Sequence, residues 1–182
     1  MIHAMPIVPD DKDWTWVLER PCPDCGFDAR EVAATSVADG LRANAAQWRA
    51  LLDHPKAAVR PTDDRWSALE YACHVRDVYR RFVERLALML AEDDPTFANW
   101  DQDATAIEDR YGDQDPAVVI DELEAAGGEL AAAFDGVQGE QWQRAGERSD
   151  GARFTVESMS RYLLHDPVHH VWDVETGYAQ AE

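Results

Sequence analysis

Basic residues are scarce in this 182-residue chain. Seventeen Lys and Arg stand against thirty-six Asp and Glu, for a formal net charge of −19. A phosphate backbone is bound by clustered cations that release its counterions, so the composition argues against nucleic acid as a partner, and against an anionic membrane surface. Cysteine is scarcer still. Cys22, Cys25 and Cys73 are too few for a disulfide framework and point to a reducing, cytoplasmic setting. No apolar run approaches the ~20 residues of a membrane span. The opening "MIHAMPIVPDDKDW" has neither the basic start nor the apolar core of a secretion signal. No Gly-rich phosphate loop and no nucleophile paired with its own base stands out.

Strand-like alternation is missing as well, which leaves helical periodicity. Four segments carry apolar residues at steps of three and four: residues 32–52, 67–91, 117–134 and 155–175. Pro116 suits the first turn of the third, and Thr155 or a neighbour suits the cap of the fourth. The connection between the second and third is too long for a bare loop and predicts a short helix near residues 104–111. The expected fold class is therefore all-α: a four-helix bundle over residues 31–182, preceded by an irregular N-terminal extension over residues 1–30. At this length a single domain buries a real core without a staple, and bundles build sites from side chains on facing helices.

What is abundant sits near the C-terminus. "LLHDPVHHVWDV", residues 163–174, holds three of the six histidines and two aspartates. Two pairs at i,i+4 compete there as a chelating clip: Asp166 with His170, and His165 with His169. Helical phase arbitrates. The apolar face of Val156, Met159 and Leu163, continued at ~100° per residue, next meets Asp166, then His170, then Asp173 and Val174. His165 falls toward the polar side and His169 at the margin. A carboxylate and an imidazole continuing a core stripe need a partner or a metal, so Asp166/His170 is the preferred pair and His165/His169 the runner-up. Pro167 either kinks this helix or restarts it with Asp166 as N-cap. Beyond it, Leu164, Val168, Val171 and Trp172 form a second apolar face, suited to a homodimer or to packing against the first thirty residues.

The third ligand of such a site is sought in the second helix, where His74 flanks the stripe of Tyr71, Val75 and Val78. Three protein donors with a position left for water or substrate are the pattern of a catalytic site. Asp77 and Asp173 are candidates to orient the imidazoles. A mixed nitrogen and oxygen set suits zinc, nickel, iron or manganese.

The helix "RWSALEYACHVRDVY", the closing "FTVESMSRYLLHDPVHHVWDV" and the four-helix order resemble the DinB-like superfamily, over roughly residues 31–174. That superfamily includes mycothiol-dependent maleylpyruvate isomerases and transferases of low-molecular-weight thiols. The resemblance implies an up-down-down-up bundle and a divalent metal held by a histidine of helix two and a His/Glu-x3-His pair of the last helix. His74 matches the first ligand. Asp166 and His170 match the pair with Asp in place of His or Glu, a departure that keeps His165/His169 in play. It further implies a metal-dependent thiol transferase or isomerase, with a small thiol as cofactor and a small electrophile as substrate. The alternatives are a metal-dependent hydrolase and a non-catalytic bundle that holds a metal or small ligand in stress response.

One signal lies outside that pattern. In "RPCPDCGFD", Cys22 and Cys25 form a Cys-Pro-x-Cys-Gly turn of the kind that knuckles a zinc or iron ion. A second such pair is absent. A half-site completed by histidine, a redox pair and a plain reduced turn all fit the sequence.

Overall fold

The structure, a computed structural model, describes Ile7 and residues 12–180. Most of the opening stretch read for a secretion signal, residues 1–6 and 8–11, lies outside the described residues, as do the last two positions of the predicted bundle.

Among the described residues five α-helices form: α1 (Val37–Leu52), α2 (Ala68–Ala91), α3 (Gln102–Glu108), α4 (Pro116–Asp135) and α5 (Val156–Gln180). Four of them make the bundle. α1 and α2 each pack on α4 and on α5, so they face one another across the diagonal. The long apolar stripes of α1, α2, α4 and α5 meet in one core around Trp48, Tyr79, Leu123 and Met159.

Local chemistry explains where the helices begin. Ser67 caps α2 in a full capping box, accepting from the Glu70 backbone N–H while the Glu70 carboxylate accepts from that of Ser67. Asp115 caps α4, with Pro116 in its first turn. The Thr155 hydroxyl accepts from the Ser158 N–H at 3.0 Å at the start of α5. α4 comes close to its neighbours because Gly127 has no side chain; a Cβ there would lie 3.0 Å from that of Ala45 and 3.1 Å from the Tyr79 ring.

Several expectations need correction. Residues 32–36 are not α-helical: Val32 is extended and Ala34–Ser36 make a 3₁₀ turn before α1. Pro167 neither ends nor restarts the last helix, so Asp166 is not an N-cap; α5 runs straight through it for 25 residues. The helix is braced there by Asn44, which donates from Nδ2 to the Pro167 carbonyl at 2.9 Å and accepts from Trp48 Nε1 and Tyr79 Oη. Three short strands, β1 (Thr96–Phe97), β2 (Ala145–Arg148) and β3 (Arg153–Thr155), form a small sheet in the order β1-β2-β3. β1 runs parallel to β2, and β2 antiparallel to β3. The sheet holds the β1 end of the loop that carries Trp100. The second apolar face of α5 is covered in part within the chain: Leu164 lies against Gly40 of α1, and Val171 is buried. No helix among the described residues is long and apolar enough to cross a membrane.

Candidate metal centre

α2 and α5 lie side by side, and the phase of each decides which side chains meet. His74, Asp166 and His170 converge, each offering one donor atom within 4.8 Å of the others. His74 Nε2 lies 3.3 Å from Asp166 Oδ1, and His170 Nε2 is 3.7 Å from the same oxygen. Metal–ligand bonds of ~2.1 Å hold two donors ~3.0–3.4 Å apart, so a small inward movement suffices to close the set on one ion. Asp166 Oδ1 is itself buried and lacks a partner of hydrogen-bonding geometry. A buried carboxylate oxygen in that state is costly unless a cation meets it. The donor set therefore fits a divalent metal.

Electrostatics keep the carboxylate ionised, the form a metal needs. Burial alone would raise the Asp166 carboxyl, but His74 and then His170 hold it well below the usual carboxylate range. His170 is oriented from behind. Its Nδ1 lies 2.9 Å from Asp173 Oδ2, which leaves Nε2 toward Asp166. Asp173 is fixed in turn by Arg65, whose Nη2 donates to its carboxylate at 3.1 Å and to its backbone carbonyl at 2.7 Å. The His74 ring is stacked on Trp100, 5.4 Å between centroids and 3° between planes, with Trp66 tilted on it at 5.5 Å. Its Nδ1 finds no hydrogen-bond partner among the described residues.

Asp77 does not orient His74. It accepts from the Tyr111 hydroxyl at 2.6 Å and pairs with Arg76, on another side of α2. Arg76, which by phase lies off the apolar stripe, is buried all the same, reaching Gln114 and Glu122. Arg65 and Arg85 were not singled out from the sequence; nothing in the local spacing of the one before α2 or of the other within it marks a site.

Asp166 and His170 line an open cleft of about 1080 Å³, with His74 buried behind them. Its lining includes Trp66, Trp100, Arg85, Arg148 and Tyr162, with exposed acidic residues such as Asp64, Asp101 and Asp150. Arg85 is buried, donates to the Ala98 carbonyl at 3.0 Å and lies over the Phe82 and Phe97 rings. Burial, then Arg148 and Arg81 beside it, push its pKa down to about 10, still cationic at neutral pH.

The runner-up pair also lines the cleft but takes other partners. His165 and His169 point to the side of α5 covered by the N-terminal segment, where they gather with Cys22 and Cys25. His165 is buried rather than on a solvated polar side. Burial and the neighbouring His169 push its pKa down to about 4, and burial lowers that of His169 as well. Cys73 is buried apart from both groups, with Gln114 and the Tyr111 carbonyl near its thiol.

A family model described as the DinB superfamily matches residues 38–174, from the start of α1 to near the end of α5. The chain belongs to the DinB superfamily. The match spans His74, Asp166 and His170 but not Cys22 or Cys25. No curated protein matches the chain. Among solved structures it is similar to YfiT from Bacillus subtilis, described as a probable metal-dependent hydrolase with an unusual four-helix bundle topology. The likeness has a TM-score of 0.67 at 17% identity and covers 84% of this chain and 88% of that one. At that identity the likeness speaks for a shared DinB fold.

Proposed function

We propose that this DinB protein is a metal-dependent transferase or isomerase that uses an external thiol against a small electrophilic substrate, with His74, Asp166 and His170 as the metal ligands. The observation that carries the reading is the three-donor cluster bordering a cleft. Three protein donors leave room for a further ligand, and the cleft's volume is more than one small electrophile needs, so it suits a thiol and its acceptor together. When bound, a divalent ion acts as a Lewis acid that lowers the pKa of a thiol or water brought to it. The chain's own groups do the rest. Asp173 retains the proton on His170 Nδ1 and fixes the tautomer. Trp100 and Trp66 keep water off the His74 ring, which strengthens charge interactions beside it. Arg85 provides a buried cation for an anionic group on substrate or thiol, while the acidic rim disfavours polyanions such as nucleic acid.

No cysteine of the chain lines the described cleft, so the sulfur must come from outside. Hydrolysis with water as nucleophile is the second reading, favoured by the likeness to YfiT. Assaying metal-loaded protein against electrophiles with and without added thiols separates the two. Thiol-dependent turnover that is lost in His74→Ala supports the proposal. Turnover independent of thiol makes the protein a hydrolase. Tight ligand binding without any turnover makes it a binding module.

A further inference from the structure

The second cluster on α5 is a different kind of site. Cys22 and Cys25 lie in a tight turn. The Cys22 N–H donates to the Phe27 carbonyl at 2.8 Å, and the Gly26 N–H donates to the Cys22 carbonyl at 2.9 Å. Gly26 sits at φ +75°, a conformation that favours glycine. Opposite this turn, α5 presents His165 and His169 one helical turn apart. One donor atom from each of the four side chains lies within 4.8 Å of the others.

Three features favour a metal over a packed polar cluster. Cys22 Sγ lies 3.6 Å from His169 Nδ1; bonds of ~2.3 Å to sulfur and ~2.05 Å to nitrogen at tetrahedral angles place two such ligands ~3.6 Å apart. The Nε2 of His165 is buried without a hydrogen-bond partner. A Cys22–Cys25 disulfide would leave that nitrogen just as it is, and would give His169 Nδ1 nothing to bind. His169 Nε2, meanwhile, faces Asp173 Oδ2 at 3.7 Å, so the ring turns its Nδ1 to the thiols.

We propose that Cys22, Cys25, His165 and His169 hold a zinc ion in a closed tetrahedral site that fastens the N-terminal segment to α5. Two thiolates and two neutral imidazoles are the soft-to-borderline set that selects zinc over magnesium or manganese. Four protein donors leave no position for substrate, so the ion is structural. The segment it fastens has few buried apolar anchors of its own, chiefly Val17 and Ala29. That segment supplies Asp13, Trp14 and Asp24 to the wall of the cleft, and the Trp14 ring lies 5.5 Å from His165 and 5.4 Å from His169. His165 and His169 themselves line the cleft, so the zinc fixes part of its wall as well as the segment that covers it. Binding releases the two thiol protons, so affinity weakens as pH falls.

The test uses the full chain, purified under reducing conditions and loaded with zinc or cobalt, and does not depend on any enzymatic activity. Titrating the thiols with a mercurial should release one equivalent of zinc as two thiols react, and mass mapping should identify Cys22 and Cys25. The cobalt form should show thiolate-to-metal charge transfer and intense tetrahedral d–d bands. Both signals should persist in His74→Ala, which removes a ligand of the other site, and vanish in Cys25→Ser. Adding zinc to reduced apoprotein should raise Tm in wild type and in His74→Ala alike. Cobalt binding to wild type without thiolate bands would overturn the proposal. So would thiol modification that releases no zinc, or a Cys22–Cys25 disulfide that persists in reduced protein given excess zinc. The wild-type measurements stand even where a variant does not fold.

Discussion

Asp166 and His165 are neighbours in sequence, as are His170 and His169, and all four line one cleft, yet the two pairs meet different partners. The first pair meets His74 of α2. The second meets two thiols of the N-terminal segment. A step of one residue turns a side chain by ~100° on a helix, and that turn changes the donor set from nitrogen and oxygen to nitrogen and sulfur. It also changes three donors with room for a fourth into four with none. The same stretch of helix can thus supply a reactive site and a fastening site, with Asp173 behind both: 2.9 Å from His170 Nδ1 and 3.7 Å from His169 Nε2.

The largest effect expected is from His74→Ala. It should abolish metal binding at the open site and reduce turnover by far more than the ~10–100-fold typical of an outer partner, while leaving the thiolate-bound metal in place. Metal titration beside an activity assay checks both arms. Loss of both metals together would merge the two sites into one.

Next comes Asn44→Leu. It strands Trp48 Nε1 and Tyr79 Oη in the core and frees the Pro167 carbonyl between the two pairs. A cost of ~2–4 kcal/mol is expected from these unsatisfied groups, read by urea unfolding.

Asp173→Asn sharpens the contrast more finely. Metal affinity at the open site should fall ~10–100-fold, and at the thiolate site by less, because His169 is the more distant neighbour. Competition with a coloured chelator reads the two separately.

The smallest effect concerns the start of α2, one turn before His74. Burial would raise the Glu70 carboxyl, but Arg60 and the Ser67 backbone hold it below its ordinary value of 4.5. A depressed carboxylate pKa contributes stability above the ordinary value, and that contribution is lost as pH falls through the lower, folded value. Glu70→Gln should therefore cost ~1–2 kcal/mol near neutral pH, with the gap to wild type closing below about pH 4.5. Melts across pH check this, and neither metal site should respond.

The sequence made some of this legible, for reasons visible in particular residues. Ser67 with Glu70, and Asp115 with Pro116, mark helix starts by local chemistry, and the structure begins α2 and α4 there. Continuing the Val156–Met159–Leu163 face brought Asp166 and His170 toward α2 because a helix keeps its phase even through Pro167. The same reasoning places His165 toward the polar side of the helix, and that side is covered by the N-terminal turn. The strands, two to four residues long, are too short to display alternation. The partnership of Cys22 with His169 spans 147 positions, and no local pattern encodes a contact so distant.

Anomalous diffraction from crystals of the zinc-loaded protein tests the central claim most directly. Two peaks are predicted, one within bonding reach of His74, Asp166 and His170, the other enclosed by Cys22, Cys25, His165 and His169. A map with no density between His74 and Asp166, those two side chains remaining in direct contact, would contradict the account.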